Sequence, residues 1–208
     1  MPTKLLIAVP NYTQRVSGLF LDAMIGLTAH LARRFAPGEI DYVRSGLVYI
    51  DITRNAAWER ARKQQVDALL CIDDDMTFTP ATFDGLWTTP GDVVSALYFQ
   101  RRPPPTAPCM YHRMKNGRHS AVMAYPAHEV IEVDAVGFGF VLIRKPVLDA
   151  LENPFNIQTG VGEDIAFCER AKAAGFRILV NTGARAGHIL TDPIVIDESN
   201  AGEAFAAP

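Results

Sequence analysis

Two rhythms of apolar and polar residues alternate through the first hundred positions. "KLLIAVP" is a continuous apolar run closed by Pro10, as in a buried strand. In "TQRVSGLFLDAMIGLTAHLARRF", Val16, Leu19, Phe20, Met24, Leu27 and Leu31 recur at helical spacing, and Pro37-Gly38 stops the segment. "EIDYVRS" predicts a second strand and "GLVYI" a short extended piece. "ITRNAAWERARKQQ" is rich in Ala, Arg and Gln and predicts a helix. "ALLCI" is another buried strand. "TPATFDGLW" predicts a helix with Thr79 as N-cap and Pro80 in its first position, and "DVVSALYF" a further strand. This alternation predicts an α/β layered fold with a mostly parallel sheet and helices on both faces.

The rhythm changes in the middle. "RRPPPTAPC" is a Pro-rich loop that cannot enter a sheet interior. "AVMAY", "EVIEV" and "GFGFVLI" predict short strands with no helix between them, hence a small antiparallel insertion. "RKPVLDAL" and "GEDIAFCERAKAAG" predict helices, the second closed by Gly175, and "RILVN" one more strand. No linker divides the chain, so residues 1–191 form one expected domain. Residues 192–208 carry few core signals and are expected to be a loosely held tail.

The feature that asks for chemistry is "LLCIDDDMTF". An apolar strand runs into Asp73, Asp74 and Asp75. At about 4 Å and an effective dielectric near 20, each pair of unit charges repels by roughly 4 kcal/mol. A divalent cation removes the conflict, and Mg²⁺ or Mn²⁺ suits oxygen ligands. If the chain stays extended, Asp73 and Asp75 share a face and point at one metal while Asp74 points elsewhere. The carboxyl end of a parallel strand is where α/β sheets place ligands.

Bulk properties narrow the field. The 208 residues suffice for one sizeable core, and a net charge of −3 argues against a broad nucleic-acid or membrane surface. Cys71, Cys109 and Cys168 are few and scattered, which points to a reducing cytoplasm rather than a disulfide framework. No apolar run reaches membrane-spanning length. No feature indicates an oligomeric state.

The Asp-x-Asp at the end of an apolar strand, "VPNY" after the first strand, "VDAVGFGFVLIRKPVLDAL" and "GEDIAFCERAKAAGFRILVNTGARAGHI" occur in that order. Together they resemble the nucleotide-sugar glycosyltransferases of the GT-A fold, family 2-like group, over roughly residues 4 to 190. "ITRNAAWERARKQQVDALLCIDDD" and "SALYFQRRPPPTAP" are similar to small phage and prophage members.

The resemblance implies a UDP- or GDP-sugar donor and a Mn²⁺ or Mg²⁺ cofactor. Asp73 and Asp75 become the metal or diphosphate and ribose pair, with Asp75 the direct ligand, and Asp74 a donor-binding residue that faces the sugar. His188 becomes a further metal ligand. Asp164 becomes the general base of an inverting transfer, with Glu163 binding or orienting the acceptor. Pro10, Asn11 and Tyr12 line the base pocket, and Arg54 and Asn55 contact the donor.

Gly137 and Gly139 around Phe138 allow a backbone to approach donor or acceptor, or form a strand bulge. Arg101 and Arg102, with Arg113, Lys115 and Arg118, form a basic acceptor-side segment. It suits a polyanion such as phage DNA carrying modified bases, or is simply a solvated loop. His30, His112, His119 and His128 have no ligand spacing. Three other readings remain open. A sugar nucleotidyltransferase wants a Gly-rich basic loop after the first strand, which "VPNYTQRVSG" is not. An inactive sugar- or nucleotide-binding module would be expected to lose the acidic residues. A metal-dependent phosphatase places its Asp-x-Asp on the first strand.

Overall fold

The computed structural model describes residues 4–46, 48–157 and 160–202. The elements in chain order are β1 (Leu5–Pro10), α1 (Gly18–Leu31), β2 (Ile40–Ser45), α2 (Ile50–Lys63), β3 (Ala68–Ile72), β4 (Met76–Phe78), α3 (Pro80–Thr88), β5 (Val93–Leu97), β6 (Met110–Arg113), β7 (His119–Ala121), β8 (Val130–Val133), β9 (Ala135–Val136), β10 (Phe140–Arg144), α4 (Lys145–Ala150), α5 (Glu163–Ala173), β11 (Ile178–Thr191) and β12 (Ile194–Ile196).

One sheet follows the order β12-β11-β5-β10-β3-β1-β2, with β4 and β8 also paired to β11. β1 runs parallel to β2 and β3, β5 runs parallel to β11, and β10 is antiparallel between β3 and β5. β7, β6 and β9 form a separate antiparallel sheet. The expected α/β class and antiparallel insertion are both present.

Strand alternation explains the layers. Leu5, Ile7 and Val9 of β1, with Ala68, Leu70 and Ile72 of β3, pack under α1 and α3 against Phe20, Leu27, Phe83 and Leu86. Leu6, Ala8, Leu69 and Cys71 face the opposite way, toward Trp58 of α2, Leu148 of α4 and Phe167 of α5. On that side Trp58, Phe138, Phe155 and Phe167 form a ring cluster with centroids 4.9 to 5.9 Å apart. Such pairs add roughly 0.5–1.5 kcal/mol each beyond area burial. The cluster ties α2 and α5 together beneath the sheet's carboxyl edge.

Several elements depart from the pattern. Ser17 Oγ accepts from Phe20 N, so α1 begins at Gly18 and not at residue 13. Gly46, Val48 and Tyr49 lie in a loop, not a strand, and Leu47 falls outside the described residues. In "AVMAY" only Ala121 is in a strand, and in "GFGFVLI" residues 137–139 are outside any strand, with β10 beginning at Phe140. "RILVN" opens a strand that continues to Thr191. Its first part pairs with β5, and after a register shift its second part pairs with β4 and β12. Gly187 permits this crowding: a Cβ there would stand 2.4 Å from Val195 Cγ1. The stretch from residue 192 is held as far as Gly202, contrary to expectation. β12 pairs with β11, Ile196 and Ala201 are buried, and Ala201 O accepts from Thr106 N. Cys71, Cys109 and Cys168 form no disulfide, and among the described residues no helix is long and apolar enough to cross a membrane.

Asp134 joins the insertion to α5. Its carboxylate accepts from Lys172 Nζ and from Arg113 N, with His112 Nδ1 at 3.4 Å. Burial alone would raise its pKa, but these partners outweigh it and hold it at about 2. A depressed folded pKa gives stability that is complete above the unfolded value, near 3.8, and is lost as pH falls toward 2. Asp134→Asn should therefore lower stability at pH 7 by about 1–2 kcal/mol, discounted for solvent, and leave the pH 2 value nearly unchanged. Urea unfolding at both pH values checks this.

Candidate functional site

The three aspartates do not stay extended. β3 ends at Ile72, and Met76 N donates back to Asp73 O at 3.3 Å, so the chain turns through Asp74 and Asp75. The extended geometry expected to aim Asp73 and Asp75 along one face is therefore not formed, although both line the same cleft. Each carboxylate goes to its own partner, and this relieves the repulsion among them.

Asp73 continues the alternation of Leu69 and Cys71 and meets α2, where Arg54 Nη2 donates to its Oδ1 at 2.9 Å. Asp74 takes the other face and accepts from Asn11 Nδ2 at 2.6 Å. Asp75 stands just before β4, whose pairing puts Met76 opposite His188 of β11. His188 Nε2 is 3.2 Å from Asp75 Oδ2, and Arg101 Nη1 is 3.3 Å from the same oxygen. Burial raises Asp73 to about 6 against the pull of Arg54, and it also raises Asp74. For Asp75, burial is outweighed by the His188 hydrogen bond, and its pKa is lowered.

Arg54 is 5% exposed and anchors the floor of the site. Its Nε donates to Glu163 Oε1 at 3.3 Å, and its guanidinium lies 5.2 Å over the Phe138 ring. Phe138 is thus core beneath Arg54, not an acceptor-side contact. Asn55 also does not face the cleft. Its Oδ1 accepts from Phe155 N and its Nδ2 donates to Asn156, so it tethers α2 to the following loop.

Gly137 and Gly139 make room for Tyr98, not for a ligand. A Cβ would come within 2.3 Å of Tyr98 Oη at Gly137 and 2.8 Å of its ring at Gly139. Gly139 N donates to Tyr98 Oη at 2.9 Å, and the Tyr98 ring meets His188 edge-on.

Glu163 and Asp164 open α5 as expected. The dipole of that helix would lower Asp164. Burial and the neighbouring Glu163 win instead, and the pKa is raised, which makes it a better base. Asp164 lies on the side of Tyr98, Cys109 and Tyr111, whose acidities its charge weakens. Arg101 leaves the basic segment and joins Asp75, while Arg102 Nε donates to Thr106 Oγ1. Arg113, Lys115 and Arg118 stay on and beside the β6–β7 hairpin.

Pro10, Asn11, Tyr12, Val48, Tyr49, Thr53, Arg54, the three aspartates and Glu163 line one cleft of about 440 Å³ at the carboxyl edge of β1 and β3. Tyr12 and Tyr49, 68% and 78% exposed, stand at this cleft. The Tyr49 and Tyr98 contributions were not foreseen. Tyr49 follows a strand end just as Tyr12 does, and that parallel was the available signal.

Among the described residues four buried side-chain polar atoms have no hydrogen-bond partner: Asn11 Oδ1, Arg54 Nη1, Asp75 Oδ1 and His119 Nε2. The first three belong to residues lining this cleft. Hollows of about 690 and 970 Å³ elsewhere gather none of them. Buried orphans cost stability unless a ligand completes them.

No three His, Cys, Asp or Glu side chains among the described residues converge to hold a metal unaided. Asp75 and His188 nonetheless fit as two of its ligands. Phe99 O, 2.8 Å from His188 Nδ1, is only an acceptor, so Nδ1 carries a proton and Nε2 is the nitrogen that faces Asp75. Two neighbouring ligands of one small cation, each at about 2.1 Å, lie about 3 Å apart, close to the 3.2 Å observed.

No family profile matches the sequence, and no curated protein matches it. Solved structures do. A197 from STIV aligns over 98% of both chains with a TM-score of 0.61 at 17% identity. GalNAc-T7, solved with UDP, GalNAc and Mn²⁺, aligns over 90% of this chain with a TM-score of 0.61 at 10% identity. The fold is GT-A-like. This GT-A-like chain matches A197 end to end but covers only 44% of the GalNAc-T7 chain. At these identities the likeness is one of fold.

Proposed function

We propose that the protein is a glycosyltransferase that moves a sugar from a nucleoside-diphosphate sugar to an acceptor hydroxyl. The three unpartnered buried atoms carry this reading. They belong to residues that line one cleft, and they are an acceptor at Asn11, a donor at Arg54 and a second acceptor at Asp75. A nucleotide sugar with its counter-ion answers all three, with a base N–H, a phosphate oxygen and a divalent cation. Tyr12 and Tyr49 supply ring faces for the base. Mn²⁺ or Mg²⁺ held by Asp75 and His188 would act as a Lewis acid on the leaving diphosphate.

The chain's own residues do the rest. Arg54 Nη1–H faces charge that grows on the departing phosphate. The acceptor oxygen attacks the anomeric carbon as the carbon–phosphate oxygen bond breaks, and Asp164 takes the acceptor's proton. Attack opposite the leaving group inverts the anomeric centre. Glu163 positions the Arg54 guanidinium. Lys115 and Arg118, both exposed, favour a polyanionic acceptor such as DNA.

The reading is tested by incubating the protein with Mn²⁺ and a panel of UDP- and GDP-sugars while following release of nucleoside diphosphate. Slow release from at least one donor, lost in Asp75→Ala, is expected. Folded protein that turns over none of them contradicts the assignment.

A further inference from the structure

Arg101 sits where the sequence did not place it. Its Nη1 reaches Asp75 Oδ2 at 3.3 Å, the same oxygen that His188 Nε2 approaches to 3.2 Å. Its other nitrogens are anchored on β11 just past His188: Nε donates to Ile189 O at 3.0 Å and Nη2 to Leu190 O at 3.3 Å. The guanidinium thus occupies the cation's side of Asp75.

We propose that Arg101 is a resident cation of the Asp75 site, which a divalent metal ion must displace in order to bind. The proposal rests on the metal reading of Asp75 and His188 given above. A metal ion on Asp75 Oδ2 and His188 Nε2 would lie against the guanidinium, and two positive charges cannot share that oxygen without repulsion. Yielding costs Arg101 its hydrogen bonds to Ile189 O and Leu190 O, but its side chain is 52% exposed, so water can replace them. Its backbone need not move. The segment is pinned by Gln100 N to Ala107 O and Thr106 N to Ala201 O. Arg102 turns away to Thr106 and does not compete. Before metal arrives, Arg101 neutralises Asp75.

The test is titration of Mn²⁺ alone, without nucleotide, followed by the electron paramagnetic resonance signal of the free ion. Arg101→Ala should bind Mn²⁺ about twofold to fivefold more tightly than wild type, the worth of a partly exposed ion pair. Arg102→Ala should match wild type, and Asp75→Ala should bind none. Circular dichroism confirms that each variant is folded, and Arg101→Gln repeats the charge removal with less loss of volume. Equal or weaker binding in both Arg101 variants, with binding still abolished in Asp75→Ala, overturns the displacement proposal and leaves the metal site standing. Absence of Mn²⁺ binding in wild type and in both Arg101 variants overturns both.

Discussion

Asp164→Asn is expected to slow sugar transfer by about 10²–10⁴-fold, the usual contribution of a general base. Donor binding should hardly change. Asp164 stands outside the lining of the donor cleft, on the side of Tyr98, Cys109 and Tyr111. Asn keeps the shape and the hydrogen bond that Asp164 Oδ1 accepts from Ile165 N, so the start of α5 should survive. What it loses is the ability to take a proton. Nucleoside diphosphate binding by calorimetry, beside the rate of sugar transfer, separates these effects. A variant that loses donor affinity in step with its rate would move Asp164 from base to binding residue. A variant of unchanged rate would remove it from the chemistry.

The second large effect concerns stability. Arg54→Met should destabilise the fold by about 3–5 kcal/mol, because it leaves Asp73 and Glu163 partly buried without their shared cation. For a chain of this size that corresponds to a fall in melting temperature of about 10 °C. Loss of the guanidinium face over Phe138 adds to it. Arg54→Lys should not rescue, since one ammonium cannot reproduce a planar fork that meets both carboxylates. Urea unfolding of the two variants checks both statements. A loss below about 1 kcal/mol would mean that the carboxylates are well solvated, and the buried triad would no longer explain why α2 and α5 meet at the end of β3.

Much of the fold was legible because local pattern and tertiary demand agree. β1 and β3 are apolar on both faces, as strands covered on both sides must be. Thr79 and Pro80 start α3 with a capping box. The identities of Asp73, Asp75, Asp164 and His188 as candidates came from motif order and resemblance. Their geometry did not. The turn at Asp74 and Asp75 follows from β4, a strand of three residues whose partner lies more than a hundred residues further on. "NTGARAGH" carries two glycines, which hid the continuation of β11. Arg54 read as a donor contact. Its burial depends on two carboxylates that α2 and α5 bring to it only in the folded chain. Phe138, between two glycines, read as an acceptor-side residue, whereas the aromatic cluster draws it inward.

The central claim is that the cleft binds a nucleoside diphosphate through a cation held at Asp75. Calorimetric titration of UDP and GDP into wild type and Asp75→Ala, each with and without Mn²⁺, tests it most directly. The expected result is binding of one nucleotide that strengthens at least tenfold with Mn²⁺ in wild type, with that gain absent in Asp75→Ala. Folded wild type that binds neither nucleotide with Mn²⁺ present, or binds equally in all four conditions, would contradict it.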